Sequence, residues 1–261
     1  EARKVFQELE ASQASDADVQ EISLYRLIGI TIDLEEWDEA AKWSLQLETR
    51  FPDSEFVWFS RFQKAEALFH QGKFDEAFAA LNLLKAEKKN EAVAKASWFP
   101  RVFILLGEIH LRRKEYSDVF AIVDELKGWD SDSPFLYQAY EIQGRANKNQ
   151  AKFKEAIESF KKVIDDPEGR STETAAKSQF MIAEIYVLQK DFQSAKLEYL
   201  KVDILYAFPQ WQAPALYQAA ICHESLKEID LAKKTYAELV RKFPDNEYAP
   251  KATTRLKELG K

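Results

Sequence analysis

The chain has 261 residues, a formal net charge of −7, and only 7 glycines and 8 prolines. The acidic balance argues against nucleic acid or an anionic membrane surface as partner. One cysteine, Cys222, excludes an intrachain disulfide, and no run reaches the ~18 apolar residues of a membrane-spanning helix.

Residues 1–14 read as a single helix. Ala2, Phe6 and Leu9 are spaced four and three apart, which puts them on one helical face. Next comes a short pattern of a large residue, two polar positions and a small residue, first as Trp37-Asp38-Glu39-Ala40. It returns as Phe74-Asp75-Glu76-Ala77, Tyr116-Ser117-Asp118-Val119, Phe153-Lys154-Glu155-Ala156, Phe192-Gln193-Ser194-Ala195 and Ile229-Asp230-Leu231-Ala232. The small residues that close each copy are steps of 37, 42, 37, 39 and 37 apart. A near-constant period of this size predicts a repeat array. Ala2 lies 38 positions before Ala40, in phase with it. The leading helix is therefore expected to be the second half of a repeat whose first half lies upstream.

Six units follow, at 21–54, 58–91, 100–133, 137–170, 176–209 and 213–246. Four residues after each marker stand Ser44, Leu81, Val123, Phe160, Tyr199 or Tyr236, and three further on Leu47, Leu84, Leu126, Val163, Val202 or Leu239. That spacing gives each unit an apolar second helix. Twelve residues before most markers is a small residue (Ala65, Gly107, Gly144, Ala183, Ala220), where a first helix can approach its partner closely. Each unit thus predicts a helical hairpin with a tight turn, as at Gln71-Gly72-Lys73.

Phe51-Pro52, Phe208-Pro209 and Phe243-Pro244 are each expected to end a second helix, because the residue before proline leaves the α region. The longest step predicts a lengthened helix over 86–96. Residues 247–261 predict a capping helix with Ala252, Leu256 and Leu259 on its apolar stripe. Trp43, Trp98, Trp129 and Trp211 are expected on outer faces or connections.

The polar residues do not assemble a catalytic or cofactor signature. His70, His110 and His223 lack i, i+4 ligand spacing, and His110 and His223 share one repeat position, so they read as packing residues and no metal or cofactor is expected. Cys222 and His223 are adjacent and point about 100° apart, unsuitable as a nucleophile–base pair. The carboxylates fall in tips and loops, so no enzyme is expected.

These residues resemble the tetratricopeptide repeat over nearly the whole chain. The nearest copies hold Leu24, Leu27, Ala40, Leu47 and Pro52, and Leu216, Ala219, Ala220, Ala232, Tyr236 and Pro244. Val119 and Lys89 depart from the pattern. The closing stretch Phe243-Pro244-Asp245-Asn246-Glu247-Tyr248 and its echo Phe51-Pro52-Asp53-Ser54-Glu55-Phe56 are similar to repeats of bacterial envelope proteins, such as the barrel-assembly lipoprotein and the Tol-Pal coordinator. The resemblance implies an all-α right-handed superhelical solenoid of six hairpins, a non-catalytic scaffold for protein partners, and a bacterial periplasmic or envelope setting.

It also implies a concave groove lined by first helices, at positions 18, 15, 11 and 8 before each marker. The candidate partner-binding residues are then Tyr25, Phe59, Phe62, Glu66, Phe69, Arg101 and Glu108, followed by Glu141, Arg145, Lys148, Phe180 and Tyr217. Aromatics beside arginines are common anchors of protein interfaces. Phe62→Ala combined with Arg145→Ala is expected to weaken binding without unfolding the chain. The Lys/Asn cluster that grips a chaperone tail is missing, since Gly29, Glu66, Ile104 and Glu141 stand in its place. Two alternatives remain open: self-association through the array ends, and a regulatory or oligomerisation region of a larger protein.

Overall fold

The computed structural model describes residues 1–12 and 16–260. Residues 13–14 of the leading segment and Lys261 of the closing one lie outside the described residues. Those described form fifteen helices, with no strand among them.

The chain divides into two compact units, Glu1–Trp129 and Asp130–Lys261. The first contains α1 (Ala2–Ala11) and the hairpin of α2 (Ala17–Asp33) with α3 (Trp37–Arg50). It continues with the hairpin of α4 (Val57–His70) and α5 (Phe74–Ala86), the short α6 (Glu91–Ala94), and the hairpin of α7 (Phe99–Arg112) and α8 (Tyr116–Trp129). The second unit holds the hairpins α9 (Leu136–Asn149)/α10 (Phe153–Asp165), α11 (Glu173–Leu188)/α12 (Phe192–Leu205) and α13 (Pro209–Ser225)/α14 (Ile229–Lys242). It closes with α15 (Tyr248–Leu259).

One device turns all six hairpins. Five residues before each marker the backbone enters the left-handed region, at Glu35, Gly72, Lys114, Ala151, Lys190 and Lys227, with φ of 56–77°. The N–H of the next residue then bonds the carbonyl five positions back, as in Lys73 to Leu68 and Lys152 to Asn147, both at 2.9 Å. This Schellman closure satisfies carbonyls that the end of the first helix would leave unpaired. Only Gly72 adopts that conformation without a Cβ penalty.

The apolar second-helix positions are buried as their spacing requires: Leu47, Leu81, Leu126, Val163, Val202 and Leu239 are fully or almost fully enclosed. Gly144 shows why the first helix needs a small residue. A Cβ there would meet three ring atoms of Phe160 at 2.5–2.9 Å.

Three expectations need correction. The helix over 86–96 is not lengthened. α5 stops at Ala86, and a new four-residue helix starts where Asn90 Oδ1 accepts the Ala92 N–H at 3.1 Å, which brings Val93 fully into the core. Pro209 does not end a helix. It opens α13, where its fixed φ and missing N–H suit the first turn. Trp43 is not on an outer face: it packs in the cluster of Leu24, Leu27, Ile28, Leu47 and Val57, flanked by Phe6 of α1.

Candidate partner-binding surface

In the first unit the candidate positions share a repeat register and separate into exposed and enclosed residues. Tyr25 is half-buried, its ring stacked on Phe56 at 4.3 Å and tilted against Phe59 at 5.5 Å. Phe59 and Phe69 are also half-buried, and Ile22, one turn before Tyr25, is 47% exposed. These rings form a surface that a ligand can reach.

Phe62 does not. Its side chain is fully buried, and Trp98 stacks on it at 5.0 Å with the planes 20° apart. The connection that carries the extra residues delivers Trp98 to this position. Phe62 is therefore a core residue, and the expectation that Phe62→Ala would spare the fold is corrected.

Glu66 is also enclosed, with 2% of its side chain exposed. Burial raises its pKa above the usual carboxylate value, and the Arg101 ion pair opposes that rise. One oxygen meets Arg101, while Oε2 lacks a hydrogen-bond partner. Arg101 spans from α7 to α4 and also lies over the Phe62 ring, 5.6 Å from its centre. Glu108, one turn and more along α7, is half-buried.

Two arginines that the register did not select complete this surface. Arg112 lies over the rings of Phe69 and Phe74, at 5.7 and 4.7 Å. Arg26 lies over Tyr25 at 5.7 Å. Both are exposed. They sit one residue beyond the assumed lining positions, so the period gave no signal for them. A guanidinium over an aromatic face is attracted to the ring and keeps its N–H donors available.

The second unit treats its candidates differently. Glu141 is buried and takes Arg145 at 3.3 Å and Lys177 at 2.8 Å. Lys148 pairs with Glu184, and Glu224 takes Arg255 through two nitrogens. Arg145 lies on the same helix as Glu141, the Lys177 and Glu184 pairs join first helices about one repeat apart, and the last pair reaches α15. Phe180 packs between Tyr199 at 5.0 Å and Trp211 at 5.6 Å. Tyr217 leans on Tyr236 and Tyr248 at 5.6 and 5.3 Å. Tyr236 O–H donates to Glu224 at 2.7 Å, and burial raises its pKa far above the usual phenol value. An open cavity of about 460 Å³ lies beside this cluster, between Tyr217, Ile221 and Arg255. In this unit the sequence found residues that mostly bind one another.

Cys222 is 1% exposed. Burial pushes its thiol up to about 11, against a smaller pull from Lys196. Such a thiol is a poor nucleophile at neutral pH.

Stacked hairpins with Schellman tips and small residues at the seams define the class, a helical repeat protein. Family profiles narrow it: two described as tetratricopeptide repeat match residues 137–165 and 214–246. The chain carries tetratricopeptide repeats. No curated protein matches it in sequence. Among solved structures it is similar to PilF of Pseudomonas aeruginosa, with a TM-score of 0.62 and 15% identity over 90% of this chain and 97% of that one. It is similar to PilW, described as a widely conserved type IV pilus biogenesis factor, with a TM-score of 0.64 and 16% identity over 93% of this chain and all of that one. A signal transduction ATPase with a tetratricopeptide repeat sensor from Pyrococcus horikoshii gives a TM-score of 0.73 at 14% identity, with 99% of this chain covering 41% of that one. At such identities the likeness is one of fold.

Proposed function

We propose that the chain is a non-catalytic scaffold that holds a segment of another protein on the first-helix surface of its first unit. The observation that carries this reading is the half-buried aromatic run Tyr25, Phe59 and Phe69, with Arg26 and Arg112 lying over its rings. Rigid aromatic side chains contribute contact area at little entropic cost, and an arginine stacked on a ring is preorganised to meet a carboxylate or a backbone carbonyl. Surfaces of this kind suit a partner segment with apolar anchors. The tetratricopeptide repeats support protein binding in general. The likeness to PilF and PilW, the latter described as a pilus biogenesis factor, agrees with a bacterial envelope setting.

The test starts with photocrosslinking from position 59 in an extract of the source organism. The captured protein is then purified and its affinity measured by calorimetry. Tyr25→Ala with Phe59→Ala should weaken binding at least tenfold while helical circular dichroism is kept. An affinity within twofold of the parent, in a folded double variant, would refute the surface.

A further inference from the structure

We infer that the tip between α7 and α8 is a divalent transition-metal site formed by His110, Glu115 and Asp118. One ligand atom from each lies within 4.8 Å of the others.

Two tips of the same design differ in what surrounds their His–Glu pair. In the α7/α8 hairpin, His110 Nδ1 meets Glu115 Oε2 at 2.7 Å while the Glu115 N–H donates to the His110 carbonyl at 2.9 Å. In the α13/α14 hairpin, His223 Nδ1 meets Glu228 Oε2 at 2.6 Å, with the same backbone bond from Glu228 to His223 at 2.9 Å. Both pairs occupy the same repeat positions. The second tip has its own cation: the ammonium of Lys196, from the preceding hairpin, lies 2.7 and 2.9 Å from the two Glu228 oxygens.

The first tip changes both neighbours. Where α12 supplies Lys196, α5 supplies Phe78, whose ring meets His110 edge-on at 5.3 Å. Where α14 has Leu231, α8 has Asp118. The protein's ammonium is gone and a second carboxylate has been added. Arg113, two residues before Glu115, is committed to Asp75 and the Phe78 ring, and Arg112 lies over Phe69 and Phe74. Neither Glu115 nor Asp118 forms an ion pair with a lysine or arginine of the described residues. The two carboxylates lie three residues apart, Glu115 just before α8 and Asp118 in its first turn, and like charges this close repel. The start of α8 offsets part of that repulsion through its helix dipole, so the tip folds without an ion.

One imidazole and two carboxylates suit a zinc-like ion. Bond lengths of about 2.0–2.2 Å place ligand atoms of one ion at most about 4.4 Å apart. Asp118 is exposed, so a rotation of its side chain closes the remaining gap. The ion would enter between His110 and Glu115, with water in its open positions. The other two ligands lie five and eight residues after His110, across a turn, and so do not show the i, i+4 spacing of a metal site on one helix.

The experiment titrates the full chain with Zn2+ by calorimetry and with Co2+ by visible absorption, in a buffer that does not chelate. One saturable site per chain is expected, with no displacement of Co2+ by equimolar Mg2+ or Ca2+. Asp118→Leu, which installs the residue of the other tip, and Asp118→Asn should each weaken Co2+ binding at least tenfold with helicity unchanged. Absence of saturable uptake would overturn the proposal, as would a loss of less than tenfold in both variants.

Discussion

Phe62→Ala separates the core of the first unit from its surface. The side chain is completely buried, stacked on Trp98 and overlain by Arg101. Truncating a buried phenylalanine costs about 3–5 kcal/mol, the transfer of the ring plus the cavity left behind. The Trp98 stack, worth about 0.5–1.5 kcal/mol, falls within that range. Collapse is hindered because α4 is held on both sides, by α5 and by the Trp98 connection. Phe62→Leu keeps most of the volume and should cost about 1–2 kcal/mol. Phe59→Ala, half-buried, should cost about 1–2 kcal/mol as well. Urea unfolding followed by tryptophan fluorescence reads these losses. Hydrogen exchange locates them, with protection falling first in α4 and α7, since repeat units lose stability locally. A loss below about 1 kcal/mol for Phe62→Ala would refute the burial argument and return Phe62 to the binding surface.

Two further outcomes follow from the hairpin tips and the thiol. Ala151 holds φ at 56°, a conformation that costs an L-residue about 1–2 kcal/mol. Glycine removes that cost and gives back about 0.5–1 kcal/mol in unfolded-chain entropy. Ala151→Gly should thus raise stability by about 0.5–1 kcal/mol in urea, Gly72→Ala should lower it, and a destabilised Ala151→Gly would contradict the Schellman account. Cys222 is held protonated up to about 11, from an ordinary value of 9.0. The unfolded chain loses this proton first, so the contribution is complete below pH 9 and lost as pH approaches 11. Urea midpoints from pH 8 to 10.5 should fall less steeply in Cys222→Ala, and unchanged steepness would mean that the thiol is not enclosed.

The hairpins were legible because burial imposes the same demand on every unit. A small marker, a large residue four later and an aliphatic three beyond that recur wherever a second helix must pack. Tip geometry was much less legible. The left-handed residue is glycine only at position 72, and Glu35, Lys114, Ala151, Lys190 and Lys227 adopt that conformation because the closure on both sides imposes it. The surface was legible only as a register. Positions 15 before the marker hold Tyr25 and Phe62, equivalent by period, yet one is half-buried and the other enclosed. The difference is Trp98, which comes from the connection where the period lengthens most.

That lengthening bears on how a repeat array acquires a specific surface. Packing constrains the marker, seam and tip positions, and leaves the remaining first-helix positions free to vary. In the second unit those positions are used for cohesion: Glu141, Lys148 and Glu224 each meet a cation or carboxylate about one repeat away. A charge already desolvated and paired offers little to a ligand, because a partner must first break the pair. In the first unit the same positions hold Tyr25, Phe62 and Phe69 beside Ile32, Ile104 and Leu111, none of them charged, and Arg26 and Arg112 rest on ring faces without giving their donors to a carboxylate among the described residues. Donors that a partner can use without breaking an ion pair are the energetic condition for a binding surface. On the proposed reading of the first unit as the binding surface, exchanging Arg112 for glutamine should weaken partner affinity, measured by calorimetry, more than exchanging Lys148.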